Sequence, residues 1–268
     1  MMLKAVQTTL DKDKENDDMS LYDWYAKVLS DNKQILQRIT SILVADSAFS
    51  KKPFIDNMLG IGFNVVSRLR HDAALYYLWD GEPTGKPGRP RVKGEKIDFK
   101  NIDKSKVTIL DTDKSNEQVY ALKAWCKSLH RKISLVIHIL PKGGHRLYFS
   151  TDESMSGRDV MEYYCTRFQI EFCFRDAKQF VGLTDCQARD TRKLDFAFNS
   201  SFTAVNVAKI MCSEYNLSIG KLKALMINAY YAKRIIDVFE NNPNTQLNHE
   251  ILNEICLLYT SPSPRDAT

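Results

Sequence analysis

Two hydrophobic periodicities alternate in the first quarter of the chain, and this alternation restricts the possible folds more than any other feature. Apolar residues recur at helical spacing over residues 21–39, and a short apolar run over residues 41–45 leads into Asp46. A short helix is predicted over residues 51–59 and an apolar strand over residues 64–69. Strands that alternate with helices indicate an α/β sheet. We therefore expect Asp46 at the C-terminal edge of a buried central strand.

Residues 70–146 have a different character, because helical periodicity is nearly absent there. Glycine and proline cluster between residues 81 and 90, and strand-like runs follow at residues 107–110, 119–125, 133–140 and 147–150. We interpret residues 70–146 as a mostly β insertion that separates two parts of one core, residues 1–69 and residues 147–250. Helices are predicted in the second part over residues 157–182 and 196–215, with one or two more over residues 219–239, and the first of them is capped by Ser154 or Ser156.

The helix predicted over residues 157–182 carries a set of polar residues with regular spacing. Four of them are three, four and seven residues apart, namely Tyr164, Arg167, Glu171 and Lys178. On a continuous helix they would lie within an arc of about 60°, and Arg175 would lie near the same face. This arrangement places one carboxylate among groups that can hold phosphate oxygens, which suggests metal-dependent chemistry on DNA.

The segment that contains these residues, Y-C-T-R-F-Q-I-E-F-C-F-R-D-A-K, resembles the signature helix of IS4-type insertion-sequence transposases. Three further segments resemble the same family in the same order: L-V-A-D-S-A-F-S-K-K-P-F around Asp46, then S-R-L-R-H-D-A, then G-L-T-D-C-Q-A-R-D. The resemblance covers roughly residues 3–244 and is expected to span the later two-thirds of a complete family member. It implies an α/β fold with an RNase H-like core, a β-rich insertion and C-terminal helices.

The resemblance also implies roles for individual residues. Asp46 and Glu171 would belong to an Asp-Asp-Glu triad that binds Mg²⁺ or Mn²⁺, while Tyr164, Arg167 and Lys178 would hold the DNA and Arg175 would add a phosphate contact. The implied reaction is attack of water on the transposon-end phosphodiester, followed by attack of the freed 3′-hydroxyl on target DNA. The implied partners are double-stranded DNA with terminal inverted repeats, target DNA, and a second copy of the chain in a homodimer.

Each of the two acids also has a purely structural interpretation. Glu171 has the spacing for an ion pair with Arg167 or Arg175, which would stabilise the helix by only a few tenths of a kcal/mol. Asp46 has the position of a residue that caps the turn after a strand. A third acid, Asp72, is assigned to the segment that adjoins the triad and not to the triad itself.

The first aspartate of the implied triad has no convincing counterpart. In the family it follows the opening strand of the core, but none of the acids before Asp46 ends an apolar strand; these acids are Asp11, Asp13, Glu15, Asp17, Asp18, Asp23 and Asp31. We therefore expect that the chain begins after the first strands of the sheet, lacks one metal ligand and is inactive alone.

A basic loop supplies a second candidate contact with DNA. Its cations crowd a glycine- and proline-rich stretch with few acids, namely Lys86, Arg89, Arg91, Lys93 and Lys96. Residues 88–91, Gly-Arg-Pro-Arg, also resemble the core of an AT-hook, which enters the minor groove of A·T-rich DNA. The alternative is a solvated surface loop, and the net charge of +5 does not decide between them.

Composition excludes several other classes. No apolar run approaches the roughly 20 residues that cross a bilayer, and no signal peptide is present, so we expect a soluble cytoplasmic protein associated with a bacterial nucleoid. The six cysteines form no C-x-x-C pair, which disfavours a zinc site. Residues 258–268 resemble a translated sequencing adapter and are interpreted as a non-native tail.

Two alternatives to a transposase stay open: a DNA-binding protein that cleaves nothing, and an RNase H-like nuclease unrelated to transposition.

Overall fold

The computed structural model describes residues 4–6, 20–82, 90–111 and 117–241. The helices are α1 (Leu21–Asp31), α2 (Lys33–Gln37), α3 (Lys52–Gly60), α4 (Gly157–Cys165), α5 (Phe168–Phe180), α6 (Thr191–Tyr215) and α7 (Ile219–Asn241). The strands are β1 (Ile42–Val44), β2 (Asn64–Leu69), β3 (Leu75–Leu78), β4 (Lys93–Lys96), β5 (Thr108–Leu110), β6 (Gln118–Cys126), β7 (Arg131–Ile139) and β8 (His145–Ser150). The chain is thus a mixed α/β protein with C-terminal helices.

All eight strands belong to one sheet, in the order β1-β2-β8-β7-β6-β3-β4, with β5 paired to β6. Only β1 and β2 are parallel, and every other pair is antiparallel. The strands of the stretch interpreted as an insertion therefore continue the same sheet as β1 and β2. The boundaries of that insertion stay a prediction.

Within the described residues the strand before Asp46 lies at the end of the sheet, whereas the sequence predicted a central position. Among the described strands β1 pairs only with β2 and lies at the end of the sheet. Its apolar sequence has another cause, because both of its faces are covered. Leu43 packs against one hydrophobic cluster, whereas Ile42 and Val44 pack against the other. An apolar run of this kind indicates that both faces of the strand are buried. It does not indicate how many strands pair with it.

The two clusters lie on opposite faces of the sheet, because successive side chains of a strand point to opposite sides. One face packs against α1 and α3 and includes Leu69 and Phe149. The other packs against α4 and includes Val66, Tyr148 and Val160. We refer to the second as the α4 face. It is the face that carries the candidate site described below.

The predicted strands at residues 64–69, 107–110, 119–125, 133–140 and 147–150 are confirmed to within two residues at each end. Strands β3 and β4 were missed. The reason is plain for β4, whose sequence Lys-Gly-Glu-Lys contains no apolar residue and pairs at the edge of the sheet. The helix predicted over residues 219–239 is confirmed as the single helix α7, and that over residues 196–215 begins five residues earlier, at Thr191.

The chain divides into two compact units, with the division between Glu171 and Phe172. The sheet, α1 to α4 and the first turn of α5 belong to the larger unit. In the smaller unit, the remainder of α5 packs with α6 around Ala177, Leu183, Phe202 and Val205. The described N-terminal residue Ala5 joins this unit through its backbone, whose N–H donates to the Asn199 side chain at 2.9 Å. No described helix is long and apolar enough to cross a membrane.

Gly157 provides a test of how closely α4 packs on the sheet. It is the first residue of α4, and a β-carbon placed on it would lie 2.4 Å from the β-carbon of Ala121 on β6. We expect Gly157→Ala to lower the free energy of unfolding by about 1–3 kcal/mol in a urea titration, because the helix must shift away from the sheet. Gly60→Ala is the control, since a β-carbon at Gly60 meets nothing within 4 Å. Equal stability of both variants would contradict the packing.

Candidate active site

The signature segment is not one continuous helix, and this corrects the prediction for residues 157–182. Helix α4 ends at Cys165 and α5 begins at Phe168. The N–H groups of Thr166 and Arg167 donate to carbonyls three residues earlier, Tyr163 and Tyr164, each at 3.1 Å. The Thr166 hydroxyl also donates to the Tyr163 carbonyl at 2.7 Å. Threonine competes in this way for helical carbonyls, and bonds to the third residue tighten the helix into a 3₁₀ turn.

The break changes where the four polar residues lie. Tyr164 is in the last turn of α4, Arg167 is in the connecting turn, and Glu171 is in the first turn of α5. A 3₁₀ turn advances about 120° per residue in place of about 100°, so the arc calculated for a single continuous helix does not apply. Arg167 still lies beside both Tyr164 and Glu171. The predicted cap is confirmed at Ser156, whose side chain accepts from the Asp159 N–H.

Asp46 lies two residues after the end of β1, and its carboxylate is held by the backbone of the next residue. Its Oδ1 accepts from the Ser47 N–H at 2.7 Å, so the predicted capping of the following turn is confirmed. The Asp46 carbonyl accepts from the Ser67 hydroxyl at 3.1 Å, and Ser67 on β2 is fully buried. The Ser50 hydroxyl completes the network, lying 2.9 Å from Ser67 Oγ. The loop that carries Asp46 is therefore tied to β2 by buried hydroxyls.

Glu171 forms one of the two ion pairs expected from spacing. Its Oε1 accepts from Arg167 Nη1 at 2.8 Å, while Arg175 pairs with Asp176 at 3.1 Å. The Glu171 side chain is 56% exposed. An exposed pair of this type contributes little to stability, so Glu171 can exchange its partner at small cost.

Arg167 is the cation on which both candidate carboxylates act. Burial favours its neutral form, but the hydrogen bond that Arg167 donates to Glu171 and the electrostatic interactions with Tyr164, Glu171 and Asp46 prevail, so the pKa of Arg167 is raised. Its guanidinium lies 4.7 Å from the centre of the Phe168 ring, and its Nε is buried without a hydrogen-bond partner. Glu171 thus contacts this guanidinium directly, and Asp46, which is far away in sequence, acts on it through its charge without forming an ion pair with it.

Tyr164 lies beneath this cation and is only 8% exposed. Its ring packs against Tyr148 of β8 with 4.9 Å between ring centres. Burial raises the pKa of Tyr164, and the charge of Asp46 adds to this while Arg68 and Arg167 act against it. Its phenol is therefore a neutral hydrogen-bond donor beside two arginines.

Sequence reasoning missed two members of this neighbourhood, Arg68 and Tyr148. They face each other across β2 and β8 in the register of the sheet. A signal for Arg68 was present, because it belongs to the segment S-R-L-R-H-D-A that resembles the family. Only strand pairing could identify Tyr148, since nothing in its local sequence marks it.

The other predicted site residues lie elsewhere. Arg175 and Lys178 are on the part of α5 that belongs to the smaller unit. Arg91 stacks over Trp79, with 3.9 Å from its guanidinium carbon to the ring centre, and donates from Nε to the Lys93 carbonyl. Lys86 and Arg89 lie outside the described residues.

Asp72, the third acid considered in the sequence analysis, forms an ion pair with its neighbour Arg70. Both of its carboxylate oxygens accept from Arg70, each at 3.0 Å. It is exposed and lies in the turn after β2. This bidentate pair separates Asp72 from the two acids that act on Arg167.

The donor set fits a divalent cation of the magnesium class. Asp46 and Glu171 supply carboxylate oxygens, which are the ligands that Mg²⁺ and Mn²⁺ prefer. In the described part of the chain no group of three or more histidine, cysteine, aspartate or glutamate side chains converges. Mg²⁺ is commonly bound by one or two carboxylates together with substrate phosphates and water, so two acids are compatible with a site that DNA completes.

Comparison with known protein families identifies a matching domain. A family model described as a transposase DDE domain matches residues 26–207, which include β1, the sheet, α4 and α5 and therefore both candidate carboxylates. A search among curated proteins returns no match.

The weakness of the Arg167–Glu171 pair can be measured in a double-mutant cycle. We expect Arg167→Met and Glu171→Gln to show a coupling energy below about 0.5 kcal/mol in urea unfolding, because the glutamate is largely exposed. The coupling should fall further in 1 M NaCl, through screening. A coupling above about 1 kcal/mol would mean that the pair is a structural element and that Glu171 is not readily exchanged.

Proposed function

The chain belongs to the DDE transposase family, because the domain model of that family matches more than half of its length, and we propose that it is an IS4-type transposase. Membership in the family implies a DNA substrate. The proposed activity is metal-dependent cleavage of the phosphodiester at transposon ends, followed by strand transfer to target DNA. The observation that carries the proposal is the ion pair of Glu171 with Arg167 at 2.8 Å, together with the charge of Asp46, which helps to raise the pKa of the same guanidinium.

The chemistry requires an activated nucleophile and neutralisation of the charge that grows on the phosphate. Bound Mg²⁺ or Mn²⁺ would supply both. Asp46 would present its carboxylate from a loop fixed by Ser67, so its position changes little when substrate binds. Glu171 would leave its exposed pair with Arg167 and offer both oxygens to the cation.

The released Arg167 would turn its donors to the DNA. Its buried Nε has no hydrogen-bond partner, and a phosphate oxygen would satisfy it. The neutral phenol of Tyr164 would donate a second hydrogen bond to the same strand. Lys178 would hold the same strand, and Arg175, Arg91, Lys86 and Arg89 would add contacts with the DNA backbone.

Several finer features complete the proposal. The sheet and α5 would form an RNase H-like core, and the family's first aspartate would be the third carboxylate of the site. The active species would be a homodimer on paired transposon ends, in the bacterial cytoplasm at the nucleoid. The competing candidate is a chain that binds DNA without cleaving it, and it is favoured by the absence of a third converging acid among the described residues.

Cleavage of defined DNA tests the function. The substrate is a linear duplex containing the repeats that flank the gene, incubated with Mg²⁺ and either this chain or a version extended upstream. We expect a nick at the repeat end that Glu171→Gln and Asp46→Asn each reduce by at least about 100-fold, since even groups that only orient a metal ligand contribute about 10- to 100-fold. Asparagine keeps the cap at position 46, so its effect reports the lost charge.

Asp72→Asn is the matched control, because it removes an exposed carboxylate from the neighbouring turn and should leave cleavage unchanged. Nicking by the extended version alone would show that the third carboxylate lies upstream of this chain. Binding without nicking by both versions would favour the DNA-binding candidate. Cleavage of arbitrary DNA without preference for the repeat would indicate a general nuclease, and either of these last outcomes would overturn the transposase proposal.

Metal binding can be measured separately from activity. We expect Mn²⁺ to bind the unaltered chain and to bind Asp46→Asn and Glu171→Gln about tenfold or more weakly, because each variant removes one charged oxygen ligand. The amount of free Mn²⁺ is read from its electron paramagnetic resonance signal. Asp72→Asn should bind as the unaltered chain does. Equal affinities across all variants would remove Asp46 and Glu171 as metal ligands.

A further inference from the structure

We propose that residues 245–257 form an amphipathic helix that folds back after α7 and occupies an apolar groove between α6 and α7. The proposal identifies an interaction surface of the smaller unit and names the segment of this chain that covers it. It goes beyond the proposed function and does not depend on it, because no residue of the candidate active site takes part.

The groove lies within the smaller unit and has a volume of about 930 Å³. Its apolar lining comes from the end of α5, from α6 and from the first part of α7, and includes Phe180, Phe196, Val207, Met211, Leu222 and Met226. Protein interiors contain few voids larger than a water molecule, so a groove of this size is not a packing defect. Its lining favours an occupant that buries hydrocarbon side chains.

The side chains around the groove are exposed to an extent that calls for a cover. Phe196 and Val207 of α6 are 75% and 51% exposed, and Met226 of α7 is 58% exposed. Of the 23 residues of α7, only Leu222 is buried. Helices in proteins gain most of their stability from packing of an apolar face. A contiguous apolar surface of this kind marks a site of interaction.

The segment that follows α7 has the pattern of such a cover. Residues 242–268 lie outside the described residues, and their sequence begins with the turn-forming run Asn-Pro-Asn at 242–244. Leu247, Ile251 and Ile255 then recur at intervals of four, which places them within an arc of about 80° on a helix. The undescribed residues 7–19 offer no such stripe, because acids and lysines dominate them.

Length and direction bring this stripe to the groove. Met226 lies about 22 Å before the end of α7 at Asn241, and a helix over residues 245–257 is about 20 Å long. After the turn at 242–244, a helix that runs back along α7 therefore reaches the level of Met226. Ile255 then lies at the groove, while Leu247 and Ile251 face the later part of α7.

The charges at the edges of the two surfaces are complementary. Glu250 and Glu254 lie one helical turn apart and flank the apolar stripe on one side. On α7, Lys223 lines the groove, and Lys233 lies on the same face, two turns after Met226. Both lysines are exposed, and neither forms an ion pair within the part of the chain that the structure describes. The docked helix places its acids along this row of lysines.

Photo-crosslinking in the full chain tests the proposal. The amino acid p-benzoylphenylalanine replaces Met226 in the groove or, as the matched control, Asn228, which is exposed and does not line the groove. The two positions lie on opposite faces of α7. We expect irradiation to join position 226 to residues 245–257, as mapped by tandem mass spectrometry of tryptic peptides, and to give no such product from position 228.

Substitutions in the segment show whether its apolar stripe makes the contact. Ile255→Asp should abolish the crosslink from position 226, because a carboxylate would have to enter an apolar groove. Asn253→Asp is the matched control, since it adds the same charge on the opposite side of the predicted helix and should leave the crosslink in place. Equal yields from these two variants would overturn the proposal.

A mixture of isotope-labelled and unlabelled chains distinguishes the segment from a second copy of the protein. Crosslinks within one chain join peptides of the same isotope, whereas crosslinks between chains also join peptides of different isotopes. Mixed products would assign the groove to a second copy and overturn the proposal. A lack of any crosslink from position 226 to residues 245–257, or the same crosslink from position 228, would also overturn it. Each of these outcomes leaves the transposase proposal to be judged by cleavage of the flanking repeat.

Discussion

The pairing of β2 with two neighbours is the constraint on which the rest of the larger unit depends. Its parallel pairing with β1 brings the Asp46 loop to the end of the sheet, where the buried hydroxyl of Ser67 holds the Asp46 carbonyl. Its antiparallel pairing with β8 sets Arg68 opposite Tyr148, on which Tyr164 packs. A shift of one residue in either pairing would turn these side chains to the opposite face and dismantle the site.

The site that results is built around a cation that is easily displaced. Arg167 is attracted by Asp46 and Glu171 together, yet its contact with Glu171 is exposed and therefore weak. Such an arrangement neutralises the charge of Glu171 without holding it firmly, which is what the proposed exchange for a metal ion requires. The loop that carries Asp46 is fixed in place, whereas the turn between α4 and α5 carries Arg167, whose ion pair can be exchanged. Membership in the DDE transposase family agrees with this division, since the matched segment contains both elements.

Much of the fold was predictable because it rests on local pattern. The strands flanked by turns and the helix at residues 52–60 were located from periodicity, which reports burial directly. The break at Thr166 was not, since helical spacing continues through it and only the hydrogen bonds to the third residue reveal the turn. The position of β1 at the end of the described sheet could not be predicted either. An apolar strand covered on two faces has the same composition at the end of a sheet as in its centre.

By itself the sequence determined the identities and order of the reactive groups: an acid after a short apolar strand, then a tyrosine, two cations and a glutamate in one later segment. It also determined the family, through those same segments. Only the tertiary structure decided which of these groups meet, because their proximity depends on strand register and on a turn that no residue spacing encodes. The same register brought in Arg68 and Tyr148. The physical reason is that side-chain direction in a sheet is set by pairing between distant segments.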